Sequence, residues 1–181
     1  MNILISTSSF GELDQSVLEK LNGFKVILNP YKRTLSGNEI KELLLKHEVV
    51  GLIAGVEPIS GDTLRAAKKL KVISRCGSGM DSIDLKAASE LGIKIYNTPD
   101  VSNEAVAELA LGLILDCLRR ISLSDRLMRQ GVWKKMMGNL LKDKVVGIIG
   151  FGRIGRQLGK LVKAFDCEVI YYDLVQATDL P

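Results

Sequence analysis

The sequence predicts an α/β protein built on parallel sheets, in two successive parts. Two observations carry this. Over residues 1–99, five short apolar runs alternate with helix signals, the pattern of a doubly wound sheet. Farther on, Lys144 to Asp173 reads strand, glycine turn, helix, strand, and the turn is spelled G-x-G-x-x-G.

The composition agrees with such a fold. The 181 residues are 46% hydrophobic and 25% charged, ordinary for a soluble globular chain of one or two domains. The 25 basic and 21 acidic residues leave a net charge of +4 without a basic block or interleaved aromatic platform, so nucleic acid is not indicated. Cys76, Cys117 and Cys167 are odd in number and lack C-x-x-C spacing. That argues against a disulfide framework or a zinc site and for a reducing cytoplasm. Met1-Asn2 leads straight into a strand, with no signal peptide. The most apolar run, Ala105 to Leu118, is broken by Glu108 and Asp116 and is too short and too charged to span a membrane.

Taken in order, Ile3 to Ile5 form a first strand, followed by the small polar loop Ser6 to Ser9. Asp14 caps a helix that stops at Gly23, and Phe24 to Leu28 form the second strand. Ser36 and Glu39 make a capping box that opens a helix to about Lys46. Val49 to Ala54 are the third strand, and Ser60 caps a helix over Asp62 to Leu70. Val72 to Ser74 are the fourth strand. Asp84 caps the next helix, with Gly92 at its C′ position, and Ile93 to Tyr96 are the fifth strand. Pro99 marks the end of this part.

A helix capped by Ser102 then runs to about Ile121, apolar nearly all round, and so is expected to be buried between domains or against a partner chain. Ser122 to Leu141, with Arg126, Arg129, Gly131 and the single Trp133, is less periodic and reads as an arm. Val145, Val146, Ile148 and Ile149 make a run suited to a strand buried on both faces. In the turn that follows, Gly150 permits the tight bend and Gly152 lets backbone approach a pyrophosphate. Gly155 lets the helix, Arg153 to Phe165, pack close to the strand. That helix aims its N–H groups and positive dipole end at the phosphate. The strand Glu168 to Tyr172 ends at Asp173, about twenty residues after the glycines, where a carboxylate accepts both ribose hydroxyls of an adenosine. The fold class is therefore α/β: a flavodoxin-like parallel-sheet domain, 1–99, followed by the start of a Rossmann nucleotide-binding domain, 100–181.

Other residues invite chemistry. Arg75-Cys76-Gly77-Ser78-Gly79 lie at the carboxyl end of the fourth strand, where open α/β sheets bind ligands. The N–H groups of Gly77 to Gly79 can form an anion nest, and Arg75 can add a fork of donors. A plain glycine-rich turn with Arg75 on the surface is the competing reading. Cys76 has no histidine nearby to activate it and reads as a small buried side chain. His47, the single histidine, reads as a solvated helix-end residue. Glu57 and Asp81 sit in loops at the same sheet edge, as cleft or as turn residues.

The run LKVISRCGSGMDSIDLKAASELGIKIYNTPDVSNEAVAELALGLIL, then RQGVW, GIIGFGRIG and the distal Asp173, resembles the D-isomer-specific 2-hydroxyacid dehydrogenases, above all their phosphoglycerate-oxidising branch. The resemblance is most specific from Leu70 to Asp173. It implies an N-terminal substrate domain, an NAD-binding domain from about residue 100, and a homodimer joined through the Trp133 arm. It also implies that Gly77, Ser78 and Gly79 hold a substrate carboxylate, with Arg75, Cys76 and Ser102 beside it. Gly150, Gly152, Arg153, Ile154 and Gly155 would meet the NAD pyrophosphate, Val106 would lie by the cofactor, and Asp173 would bind the ribose.

Two departures stand out. Family members often carry Asn where this chain has Ser102, with Asn103 one place later. The family's catalytic Arg, Glu and His come after the second strand of the nucleotide domain, and none is present up to Pro181. Hydride transfer to a ketone needs an acid for the nascent alkoxide and a cation to polarise the substrate. The chain is therefore expected to be part of an NAD-dependent oxidoreductase of a D-2-hydroxy acid, 3-phosphoglycerate in the nearest branch. The alternatives are a non-enzymatic NAD-binding regulatory module of the same fold and a dimerisation partner without activity.

Overall fold

The computed structural model describes residues 1–175; residues 176–181 of the second predicted domain lie outside them. The chain divides into two compact units, Met1–Val101 and Ser102–Pro181.

In the first unit five strands alternate with four helices. These are β1 (Asn2–Ile5), α1 (Ser16–Glu19), β2 (Lys25–Leu28), α2 (Gly37–Lys46), β3 (Gly51–Ala54), α3 (Gly61–Ala66), β4 (Val72–Arg75), α4 (Leu85–Glu90) and β5 (Lys94–Asn97). All pairings are parallel and the order is β2-β1-β3-β4-β5, the flavodoxin-like order. The order reverses between β1 and β3, so the loops leaving these strands diverge and open a crevice at their carboxyl ends. Leu4, Leu52 and Ile73 of the central strands pack on Ile40, Leu44, Leu64 and Ala88 of the helices, all 2% exposed or less.

Local signals set most helix starts. Ser36 accepts from the Glu39 N–H, and Glu39 Oε2 accepts from the Ser36 N–H at 2.8 Å, completing the capping box of α2. Glu39 also pairs with Arg33 at 2.6 Å, which with the Ser36 bonds lowers its pKa to about 2. Ser36→Ala is expected to cost about 1 kcal/mol, read as a lower urea midpoint at unchanged slope; an unchanged midpoint would show the cap to be dispensable. Ser60 and Asp84 likewise accept from Thr63 and Ala87 N–H groups, and Gly92 follows α4 with φ of +68°.

Two helices of this unit are shorter than expected. The helix from Asp14 to Gly23 is a single turn, α1. Gln15 stands at its cap, while Asp14 Oδ1 accepts from the Ser16 N–H at 2.9 Å. No residue of α1 is buried, so no packing extends it beyond its costly nucleus. The helix expected to reach Leu70 stops at Ala66, because the chain turns to bury Leu70 and to bond the Lys71 N–H to the Val50 carbonyl.

The second unit comprises α5 (Asn103–Arg119), α6 (Ile121–Arg129), β6 (Val145–Ile149), α7 (Arg153–Lys163) and β7 (Glu168–Tyr172), with β6 and β7 parallel. Ser102 does not cap α5: its backbone is already helical (φ −99°, ψ −2°) and its side chain makes no capping bond. The start of the expected arm is helix α6, separated from α5 by Arg120 in the left-handed region. Asp116 accepts from the Ser122 N–H across that break at 2.6 Å.

One face of β6 and β7, with Val146 and Val169, packs with Leu111, Ile114, Leu115 and Leu118 of α5 and Leu158 and Val162 of α7. Strand alternation turns the other side chains away. The expected strand buried on both faces is therefore buried on one: Ile149 is 90% exposed and Val145 57%. Within the second unit only Ala107 of α5 is fully buried, and Leu109 and Leu113 are exposed.

Candidate functional site

The predicted site residues fall into two sets, one in each unit. In the second unit β6 runs into Gly150, whose φ of +91° makes the bend. Phe151 is buried and its ring stacks on Tyr171 with centroids 4.3 Å apart. Gly152 caps α7 in extended geometry, and a Cβ there would meet open space. A Cβ on Gly155 would instead overlap the carbonyl oxygen of Gly150 and lie 3.3 Å from Ile148 Cγ2. The first bond of α7 joins the Arg156 N–H to the Gly152 carbonyl at 2.9 Å, so the first-turn N–H groups have no partner within the helix. A helix N-terminus with its dipole favours an anion.

Asp173, just past β7, reaches this turn. Its Oδ2 accepts from the Phe151 N–H at 2.6 Å and its Oδ1 from the Val175 N–H at 3.1 Å. The Val175 bond first and the Phe151 bond second hold its carboxyl below the usual carboxylate range, so the group is ionised near neutrality. Sequence reasoning assigned Asp173 to a ribose; its bond to the glycine turn itself was not foreseen. Ile154 and Val106 are partly exposed, on α7 and α5.

In the first unit Arg75 is the last residue of β4 rather than a loop residue, and the Cys76 N–H donates to the Ala54 carbonyl at 2.8 Å. Gly77, with φ of +137°, donates to Thr98 Oγ1 at 2.9 Å and accepts from the Thr98 N–H at 3.0 Å. Asn97 Nδ2 donates to the Ser78 carbonyl at 2.8 Å. The loop is thus tied to the end of β5, and the expected three-donor nest is reduced. The Gly77 N–H is engaged, while those of Ser78 and Gly79 donate to nothing among the described residues. Arg75 folds back, its Nη1 donating to the Cys76 carbonyl and its Nε buried without a partner. With Gly79 and Asp81 it lines a recess of about 200 Å³.

A larger cavity, of about 450 Å³, opens where the strand order reverses. The loop after β1 and the loop after β3 line it, together with Cys76. Cys76 is exposed there, not buried as expected, because it lies one residue past the last paired residue of β4, at the open sheet edge. Glu57, left open in the sequence between cleft and turn, is 1% exposed. Its Oε1 accepts from Ser6 Oγ and from the Gly55 N–H, the latter at 3.0 Å. The polar run Ser6 to Ser9 after the first strand was the available signal for this cavity.

His47 is the C-cap of α2, and its carbonyl accepts from Asn2 Nδ2 at the start of β1. Among the described residues no cluster of His, Cys, Asp or Glu could hold a metal ion, and no helix is long and apolar enough to cross a membrane.

A family model described as D-isomer specific 2-hydroxyacid dehydrogenase, catalytic domain, matches residues 3–171. The chain is 39% identical over 150 residues to a hydroxypyruvate reductase of Thermotoga maritima, covering 81% of this chain and 49% of that protein. It is 40% identical over 141 residues to a D-3-phosphoglycerate dehydrogenase of Methanocaldococcus jannaschii, covering 77% and 27%. The chain therefore spans about half or less of the length of these relatives. Among solved structures, the NAD+-bound 3-phosphoglycerate dehydrogenase of Entamoeba histolytica aligns with a TM-score of 0.73 at 25% identity, covering 100% of this chain and 57% of that one.

Proposed function

Since the chain belongs to the D-isomer specific 2-hydroxyacid dehydrogenase family, we propose that it forms part of an oxidoreductase interconverting a D-2-hydroxy acid and its 2-oxo acid with NAD. The observation that carries this reading is the glycine turn with Asp173 bonded to its edge. The residues fit a dinucleotide: Gly152 faces open space, Gly155 lets α7 close on β6, and the α7 N-terminus favours negative charge. When bound, NAD supplies the hydride acceptor. Gly150, Gly152, Arg153, Ile154 and Gly155 hold its pyrophosphate, Val106 borders it, and Asp173 receives the ribose hydroxyls and repels a 2′-phosphate.

On the substrate side, the Ser78 and Gly79 N–H groups orient the carboxylate of the acid. Neither set contains a histidine to protonate the alkoxide, the single histidine, His47, being the C-cap of α2. A polypeptide of these 181 residues is accordingly proposed to have no turnover. The phosphoglycerate dehydrogenase relative puts forward 3-phosphoglycerate as substrate, and the Thermotoga relative puts forward hydroxypyruvate. A homodimer is proposed through Trp133, Met137 and Leu140, each 65% exposed or more. A cytoplasmic location fits the free cysteines.

The test is a spectrophotometric assay of the full-length enzyme with each acid and NAD; no turnover with any 2-hydroxy or 2-oxo acid, despite NAD binding, would favour a regulatory module instead. For the cofactor, Asp173→Ala is expected to weaken NADH binding by roughly 1.5–3 kcal/mol, the strength of hydrogen bonds to a charged group, and to narrow the preference over NADPH. Tighter binding of NADPH than NADH by the parent would overturn the assignment.

A further inference from the structure

We propose that the cavity at the β1–β3 reversal receives the end of the acid remote from its carboxylate, and that it selects an uncharged hydroxyl there over a phosphate. This rests on the 2-hydroxy-acid reading and adds a selection rule to it.

Position comes first. The cavity is bounded by Cys76. Gly77 is the next residue, and beyond it lie the two N–H groups, of Ser78 and Gly79, that donate to nothing among the described residues. Val56 lines both the cavity and the recess that Gly79 borders, so an acid whose carboxylate sits on those donors extends its remote end toward the cavity, all within one unit.

Chemistry decides what that end is. The cavity walls contain no Lys, Arg or His. They contain two carboxyl groups, those of Asp14 and Glu57. The Ser16 hydroxyl and N–H hold Asp14 below the usual carboxylate range, so it is ionised near neutrality. Glu57 is fixed through Oε1, while its Oε2 accepts no hydrogen bond among the described residues. Thr7 Oγ1 is buried without a partner. The walls thus offer an acceptor, and beside it Thr7, whose buried hydroxyl lacks a bond. A ligand hydroxyl donates to Glu57 Oε2, and rotation of Thr7 about its Cα–Cβ bond brings the unpaired hydroxyl to the same ligand group. A phosphate monoester brings acceptor oxygens and a charge of about −1.5 to −2, with no cation in the walls to meet it and like charge to oppose it. Arg75 does not line the cavity: its guanidinium is folded onto the Cys76 carbonyl and lines the adjoining recess with Gly79 and Asp81.

The test is an NMR titration of the isotope-labelled 181-residue chain with D-glycerate, 3-phosphoglycerate and inorganic phosphate. D-Glycerate is expected to shift the amides of Ser78 and Gly79 together with those of Thr7 and Gly55, and to bind at least about tenfold more tightly than 3-phosphoglycerate. Thr7→Val keeps every charge and is expected to weaken D-glycerate by roughly three- to tenfold, the loss of one hydrogen bond. Glu57→Gln is expected to lower the glycerate-to-phosphoglycerate affinity ratio; if it does not fold, the parent's preference and the Thr7→Val response decide. Equal or tighter binding of 3-phosphoglycerate, inorganic phosphate seated at Thr7 and Gly55, or no effect of Thr7→Val would overturn the selection rule and leave the 2-hydroxy-acid reading standing. If neither acid moved Ser78 or Gly79, both would fall.

Discussion

Gly155→Ala is expected to destabilise the second unit by about 1–3 kcal/mol, the usual cost of overpacking, and to abolish dinucleotide binding. The added methyl overlaps the Gly150 carbonyl oxygen and presses on Ile148. The turn cannot retreat easily. Its Gly150 N–H is bonded to the Tyr172 carbonyl at 2.8 Å and its Phe151 N–H to Asp173 at 2.6 Å. Either those bonds break or the start of α7 moves off β6, and both outcomes spoil the anion seat. Gly152→Ala is the control. Its methyl meets open space, so stability should stay within about 0.5 kcal/mol, as for an ordinary surface change, while cofactor binding is expected to fall because the methyl enters the space proposed for the pyrophosphate. Urea unfolding with NADH fluorescence titration separates the two effects. A Gly155→Ala protein with the parent's unfolding midpoint would show that the close approach is not required.

The second large effect is a contrast in stability between the units of the 181-residue polypeptide. Amide exchange is expected to be slow at Leu52, Ile53 and Ile73, in strands paired on both sides and covered by helices. It is expected to be faster by at least about two orders of magnitude, ~2.7 kcal/mol, over Val145–Ile149. That strand has one partner among the described residues, and it shares an open face with Ile170 and Tyr172, which are 53% and 66% exposed. Each such side chain forgoes roughly 1.5–3 kcal/mol of burial. The same face should drive self-association, seen as a concentration-dependent sedimentation coefficient. Equal protection in both units, in a monomeric sample, would refute the contrast.

These two sites differ in how far the sequence disclosed them. The glycine turn was legible because its requirements are local: a bend at Gly150, an approach at Gly155 and a carboxylate at the end of the next strand. The cavity was not. Glu57 looked like a loop residue, and what buries it is Ser6, 51 positions earlier, on the neighbouring strand's loop. Cys76 was expected to be buried because cysteines usually are, yet the end of β4 leaves it at the sheet's open edge. The Gly77 donor looked free until Thr98, 21 residues away, took it.

The sequence by itself determined the order of strands and helices apart from α6, the caps of α2, α3 and α4, and the glycine turn between β6 and α7. Each depends on hydrogen bonds or backbone freedom within a few residues. Only the tertiary structure decided where α1 and α3 stop, which faces of α5 and β6 meet solvent, and that Thr7, Glu57 and Cys76 share one cavity. Burial and pairing at these places are set by strands brought side by side from distant parts of the chain, which no local spacing records.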